Sequence, residues 1–189
     1  MKIQIRRFSL RVRLFVLVLF LGTVSVVVTY VSVQQTLRLS ANEPQIQIAQ
    51  DLAAAIKDGS NPQDLVSAYS VDVKNSLSLF VIVFDDKGSP VVSSAQLDGN
   101  TPTPPQGVFD YTRDKGEDRI TWQPQPGVRL AAVVTRYSSD SGSGFVVAAR
   151  SLKEVERTIN LVGELCLAGW AALVLISLAV TFIFFPSKE

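Results

Sequence analysis

Two uncharged apolar stretches, one near each end of the chain, constrain the fold more than any other feature. Residues 14–33 and 165–186 contain no charged side chain. A helix of about 20 residues, rising about 1.5 Å per residue, crosses a hydrocarbon core about 30 Å thick. We therefore predict transmembrane helices at residues 14–33 and 161–185. The intervening residues 34–160 mix charges, prolines and glycines, which predicts one folded domain of ordinary composition.

The charges before the first stretch predict the orientation. Five cations and no acidic residue precede residue 14, namely Lys2, Arg6, Arg7, Arg11 and Arg13. Under the positive-inside rule, residues 1–13 form a basic cytoplasmic tail, residues 34–160 are extracytoplasmic, and residues 186–189 return to the cytoplasm. We expect a multi-pass protein of the plasma membrane. A cleaved signal peptide is the rival interpretation, but signal h-regions are about 7–15 residues long and end at a small-residue site, which this stretch lacks.

The composition argues against several chemistries. The chain has no histidine, and its one cysteine, Cys166, lies within the second stretch. An internal disulfide and a Cys/His zinc site are therefore impossible. A net charge of +1 suggests no nucleic-acid partner. We expect no enzymatic activity, no metal and no cofactor.

The first part of the central domain has the periodicity of helices. Pro44 predicts a break after the helix that leaves the membrane. Apolar residues recur at helical spacing over residues 46–57, and Asn61-Pro62 has the pattern of a helix start. We expect that second helix to continue its apolar face through Leu65, Ala68 or Tyr69, and Val73.

The remainder of the domain has the pattern of strands. Residues 79–84 and 90–94, separated by a turn, predict a β-hairpin. A proline-rich loop is predicted at residues 99–107, a solvated acidic loop around residues 110–118, and strands at residues 120–122, 129–137 and 144–149. A flexible turn is predicted at residues 138–144. This order predicts an α+β domain whose antiparallel sheet is covered by helices on one face.

A helical seam is predicted after the last strand. Leu152, Val155, Ile159 and Val162 follow one another at spacings of 3, 4 and 3, and no helix breaker separates Ser151 from the second apolar stretch. The seam could pack on its own domain. Alternatively, it could meet the helix leaving the first span or a second copy, and so carry a signal.

Four residues are candidates for binding a ligand: Tyr111, Trp122, Arg129 and Arg136. The two arginines would suit an anion through bidentate hydrogen bonds. Because they are seven residues apart on one predicted strand, at most one can face a given pocket. The alternatives are a core position for Trp122 and solvated positions for both arginines.

The order of parts resembles the input half of bacterial sensor histidine kinases. Residues 84–94 (FDDKGSPVVSS) resemble the central hairpin of their PAS-like extracytoplasmic sensor domains, and residues 149–156 (ARSLKEVE) resemble the segment before their second span. The resemblance implies a PAS-like antiparallel sheet with N-terminal helices, inserted between two transmembrane helices. It also implies a role in signal input.

Kinase activity is not implied by this resemblance. Pro186 stands where a HAMP linker would begin, and the chain has no phosphoacceptor histidine. We expect either a split sensor without its own output or a truncated kinase. The expected partners are the lipid bilayer and either a second copy of the chain or a separate membrane or cytoplasmic signalling protein. A non-signalling structural or assembly subunit of a membrane complex is the alternative.

Overall fold

The computed structural model describes residues 2–66, 69–140 and 142–184, with side chains from residue 12 onward except those of residues 182 and 184. The elements follow in the order α1 (Lys2–Ser40), α2 (Glu43–Lys57), α3 (Pro62–Leu65), β1 (Val71–Asp72), β2 (Phe80–Asp85), β3 (Pro90–Ser93), β4 (Ala95–Gln96), α4 (Gln106–Lys115), β5 (Glu117–Gln125), β6 (Val128–Ser139), β7 (Gly142–Ser151) and α5 (Lys153–Phe184). Ala68, Ser141 and the predicted tail at 186–189 lie outside the described residues.

The chain forms two units. One comprises Met1–Leu37 and Arg157–Glu189, and the other comprises Arg38–Glu156. The first unit contains two apolar helical segments that are long enough to cross a membrane and are not buried by other described residues. Two candidate membrane-spanning helices therefore flank a mixed helix-and-sheet domain. The orientation across the membrane and the exact bounds of the two spans stay predictions.

The domain is built on a five-stranded antiparallel sheet in the order β3-β2-β7-β6-β5. A separate pair, β1 and β4, is parallel. The predicted hairpin is confirmed as β2–β3. The three later strands are also present, but each is longer than predicted, and β6 and β7 extend nearly to the tip of their hairpin, through residues predicted to be a flexible turn.

Strand alternation places two apolar clusters on opposite faces of the sheet. One face presents large side chains such as Phe84, Phe145 and Leu130, which pack with Phe109 of α4. The other presents smaller residues such as Val133 and Val146, which pack with Ala49, Ala53 and Ile56 of α2. The prediction of helices on one face is therefore wrong, because α4 covers the second face.

The missed helix α4 explains this error. Its sequence is polar on average and only Phe109 and Thr112 are buried, so few apolar residues mark it as a helix. Residues 110–115 were predicted to be part of a loop, whereas they form the last part of α4. The following residues, from Glu117 onward, belong to β5.

The helices before the sheet begin where the sequence predicts, but they do not all end where it predicts. The break before Pro44 is confirmed by the turn at Ala41-Asn42, and α2 ends at Lys57 as predicted. The Asn61 side chain accepts a hydrogen bond of 3.1 Å from the backbone N–H of Gln63, which confirms the predicted cap. However, α3 ends after one turn at Leu65, and Val73 reaches the core from a turn instead.

Within the first unit, α1 and α5 pack through small residues. Leu173 lies against Gly22, and Tyr30 lies against Gly163. The indole N–H of Trp170 donates to the Thr23 hydroxyl at 2.9 Å. Contact positions that rise along α1 fall along α5, so the two helices run antiparallel. Small residues at such contacts let helices approach closely in lipid.

Candidate functional site

A groove of about 600 Å³ lies beside β5. This volume falls within the range of about 300–1,000 Å³ that is typical of ligand sites. Two segments form the groove, namely residues 120–124 of β5 and the loop at residues 97–105, with Val108 of α4 between them. The predicted candidate Trp122 is among the lining residues, but it is only 5% exposed and belongs to the core cluster that packs with α4, which confirms the alternative of a core position.

The loop wall is held in place by its own backbone. Leu97 and Asn100 exchange two backbone hydrogen bonds of 2.8 and 3.0 Å around a tight turn. Gly99 has φ = 86° in that turn, a conformation that glycine adopts without steric cost. Pro102 and Pro104 are buried, and proline fixes φ, so this wall is stiff for a segment without regular structure.

The lining of the groove is neutral. Apolar side chains are contributed by Leu97, Pro102, Pro105, Val108, Ile120, Trp122 and Pro124, and polar ones by Asn100, Thr103, Thr121 and Gln123. None of the described lining residues carries a charge. Neutral hydrogen-bonding groups around an apolar floor suit an uncharged ligand, whereas a charged ligand would lose hydration without an ion-pair partner.

The other three predicted binding residues lie elsewhere. Arg129 pairs with Glu156, and Tyr111 is exposed on α4. Arg136 donates from Nη1 to the carbonyl oxygen of Arg113 at 3.0 Å. Arg136 therefore binds an otherwise unpaired carbonyl near the end of α4, which is a common role for a cation at a helix C-terminus. The structure does not bring the four candidates together.

Arg113 secures α4 to the β2–β3 hairpin. Its side chain pairs with Asp110 at 2.9 Å, approaches Asp86 at 3.7 Å, and lies 5.5 Å from the ring centre of Phe145. The hydrogen bond to Asp110, followed by the charge of Asp86, raises the pKa of the Arg113 guanidinium despite some desolvation. These contacts are structural and leave Arg113 outside the groove.

Glu117, which follows α4, is held by one neutral and one cationic partner. Burial raises the pKa of Glu117, but hydrogen bonds from Gln50 at 2.7 Å and Arg119 at 2.8 Å, with the Arg119 charge, lower it on balance. In the parts of the chain that the structure describes, no three His, Cys, Asp or Glu side chains are grouped so that they could hold a metal ion.

Tyr137, near the C-terminal end of β6, makes a further set of close contacts. Its hydroxyl donates to the carbonyl oxygen of Phe84 at 3.2 Å. Burial, followed by the charge of Asp85, raises the pKa of Tyr137. Gly144 lies beneath this contact, and an added Cβ would overlap the Phe84 oxygen and lie 2.6 Å from the Tyr137 hydroxyl.

The four predicted seam residues divide between the two units. Leu152 packs with Ala41 and Ala131, and Val155 joins this cluster. Ile159 is buried and Val162 is half-buried. The helix begins at Lys153 rather than Ser151, because the Ser151 hydroxyl accepts the Lys153 N–H at 3.2 Å in a local turn. Leu152 thus precedes the helix and packs on its own domain, while a signalling role for the seam stays a prediction.

No protein-family model matches the chain, and no curated protein matches it. Function must therefore be inferred from the groove, the sheet and the two apolar helices.

Proposed function

We propose that the chain is a membrane-anchored extracytoplasmic sensor, a signal-input protein whose output is carried by another protein or by a second copy. In this proposal the domain is PAS-like, both termini are cytoplasmic, and the protein resides in the plasma membrane. The chain's own chemistry supplies no catalytic step, and a conformational change is the signal.

The link between β7 and α5 carries this proposal. β7 is paired along both edges, with β2 on one side and β6 on the other. Only Leu152 separates β7, which ends at Ser151, from α5, which begins at Lys153 and runs to Phe184. Because the connection is short and α5 is continuous, a displacement of β7 would be transmitted along the helix axis. Small shifts of packed elements are a known means of switching.

The topology of the sheet supports the PAS-like part of the proposal. The first and last strands of the sheet, β2 and β7, lie side by side in its middle. A PAS-like domain built on one antiparallel sheet is compatible with this strand order, and residues 84–94 fall in the β2–β3 hairpin. A helix that leaves the last strand toward a membrane span is the output connection that such a sensor requires.

Disulfide crosslinking in native membranes tests the proposal. In a Cys166→Ala background, single cysteines are placed along α5 at Lys153, Glu154, Arg157 and Asn160. We expect either a disulfide-linked homodimer with helical periodicity or a crosslinked signalling protein, with a pattern that changes with growth conditions. A cysteine at exposed Ser60 serves as the control. Absence of any periodic crosslink, or a pattern that never changes, would refute a signalling role.

Thiol labelling of intact cells tests the orientation separately. In the same background, we expect a membrane-impermeant maleimide to label a cysteine at Ser60 but not one at Ser9. Labelling of Ser9→Cys alone would show that the topology is inverted and that the central domain faces the cytoplasm.

A further inference from the structure

The groove beside β5 follows the open edge of the sheet. β5 is the last strand in the sheet order, and its partner strand is β6. On its other side, β5 makes no backbone hydrogen bond to any part of the chain that the structure describes. Five consecutive residues, 120–124, line the groove. No residue of β6, a strand that the structure describes in full, lines the groove, so the groove lies along β5 on the side away from β6.

The free stretch of edge is limited at both ends. Asp118 and Arg119 precede it, and Pro124 follows within a register shift between Trp122 and Gln125. Charges, prolines and bulges are the devices by which proteins prevent unwanted strand pairing. Between Arg119 and Pro124, the stretch from Ile120 to Gln123 carries no charge and no proline, and all four of its residues line the groove.

We propose that this groove binds an extended, uncharged peptide segment of another protein, which adds to the sheet as a sixth strand beside β5. Backbone groups on an open edge recognise another backbone, and the neighbouring side-chain pockets supply preference. The neutral lining makes the preferred segment uncharged. The five lining residues of β5 span about 16 Å, long enough to pair with a peptide of similar length.

The wall opposite β5 decides between a single segment and a whole sheet. The loop at residues 97–105 faces the strand across the groove and is stiffened by Pro102 and Pro104. Edge-to-edge pairing with the sheet of a second copy would bring the further strands of that sheet toward this wall. A single added strand needs less room beside β5 than the edge of a second sheet with its further strands, which favours a peptide over a second sheet.

This inference goes beyond the proposed function. If the protein is a sensor, the peptide is its stimulus. If it is not, the groove would still bind the peptide, because recognition depends on β5 and the loop alone.

Peptide binding to the full-length protein in lipid nanodiscs tests the inference. The probe is a short, blocked peptide of alternating Thr and Val residues, made in three forms. One is unmethylated, one is N-methylated on alternate residues so that a single edge stays intact, and one is N-methylated throughout. Strand addition requires one intact edge. We expect the first two forms to bind with similar affinity and the third at least about 10-fold more weakly.

Matched protein variants locate the site. Gln123→Lys places a charge in the groove, and Gln47→Lys places the same charge on the exposed side of α2. We expect Q123K to weaken binding about 10-fold and Q47K to leave it unchanged. The inference is refuted if the unmethylated peptide does not bind at about 1 mM, if full methylation has no effect, or if the two variants behave alike.

The outcomes also separate this inference from the sensor proposal. Peptide binding without any change in the α5 crosslinks would support the groove and count against signalling. A crosslinking pattern that responds to growth conditions, in a protein that binds no peptide, would support signalling and count against peptide binding in the groove. Self-association that Q123K abolishes would identify a second copy as the occupant and overturn the inference.

Discussion

The replacement Gly144→Ala tests a close approach between the strands β2 and β7. Gly144 pairs with Asp85 across β2 and β7, and an added Cβ would overlap the Phe84 carbonyl oxygen. The overlapping atom belongs to the backbone, so no rotamer change can relieve it. The two central strands would have to separate near Phe84, where Tyr137 also donates its hydroxyl at 3.2 Å.

The expected loss of stability follows from these contacts. Overpacking of a well-packed site costs about 1–3 kcal/mol. Loss of the Tyr137 hydrogen bond adds about 1 kcal/mol. We therefore expect the free energy of unfolding to fall by roughly 2–4 kcal/mol, which lowers the Tm of a domain of this size by about 10–15 °C.

Thermal unfolding of the full-length protein in detergent provides the assay. The chain has two tryptophans, Trp122 in the domain and Trp170 in α5. A Trp170→Phe background leaves the buried Trp122 to report unfolding of the domain. Gly107→Ala is the control, because nothing lies within 4 Å of its added Cβ in α4, and we expect it to raise stability by about 0.5 kcal/mol. If the G144A protein unfolded at the same Tm as the G107A protein, the strands would be shown to tolerate the methyl group.

Three further predictions concern the domain and the apolar helices. Despite burial, hydrogen bonds from Gln50 and Arg119 hold the pKa of Glu117 below its ordinary value, so its carboxylate stabilises the fold above the unfolded pKa and loses this contribution as the pH falls through the folded pKa. The Tm of Glu117→Gln should therefore depend less on pH in this acidic range than that of the parent. Arg136→Met should cost about 1 kcal/mol and raise amide hydrogen exchange at the end of α4, since the carbonyl there loses its donor. Thr23→Val should weaken helix packing by about 0.6 kcal/mol and shift the emission of Trp170, whose indole loses its acceptor.

The elements that could be predicted from the sequence are those with a strong local signal. The hairpin β2–β3 combines a run of apolar β-formers with turn chemistry, and α2 has an apolar face of regular period. The Asn61-Pro62 start of α3 was also identified correctly, because a cap and a proline act locally. The end of α3 was not identified, since Val66 adopts an extended conformation that no nearby residue in the sequence predicts.

The groove could not be predicted because its parts are distant in the chain and individually ordinary. Its walls come from the proline-rich loop and from β5, and their proximity depends on which strand lies at the sheet edge. Trp122 is an aromatic candidate and it does line the groove, whereas Arg129 and Arg136 are candidates because their charge would suit an anion. Both arginines instead complete local contacts, with Glu156 and with the end of α4.

A peptide bound at β5 could act on α5 only through the intervening strands. β5 pairs with β6, β6 with β7, and β7 leads to α5. A ligand shifts an equilibrium only by its difference in affinity for two arrangements, so β5 must have two arrangements that the peptide distinguishes. The register shift between Trp122 and Gln125 is where the β5–β6 ladder is irregular. Added pairing along Ile120–Gln123 would favour a regular strand at this point, which makes the register shift the place where groove occupancy would first alter the sheet.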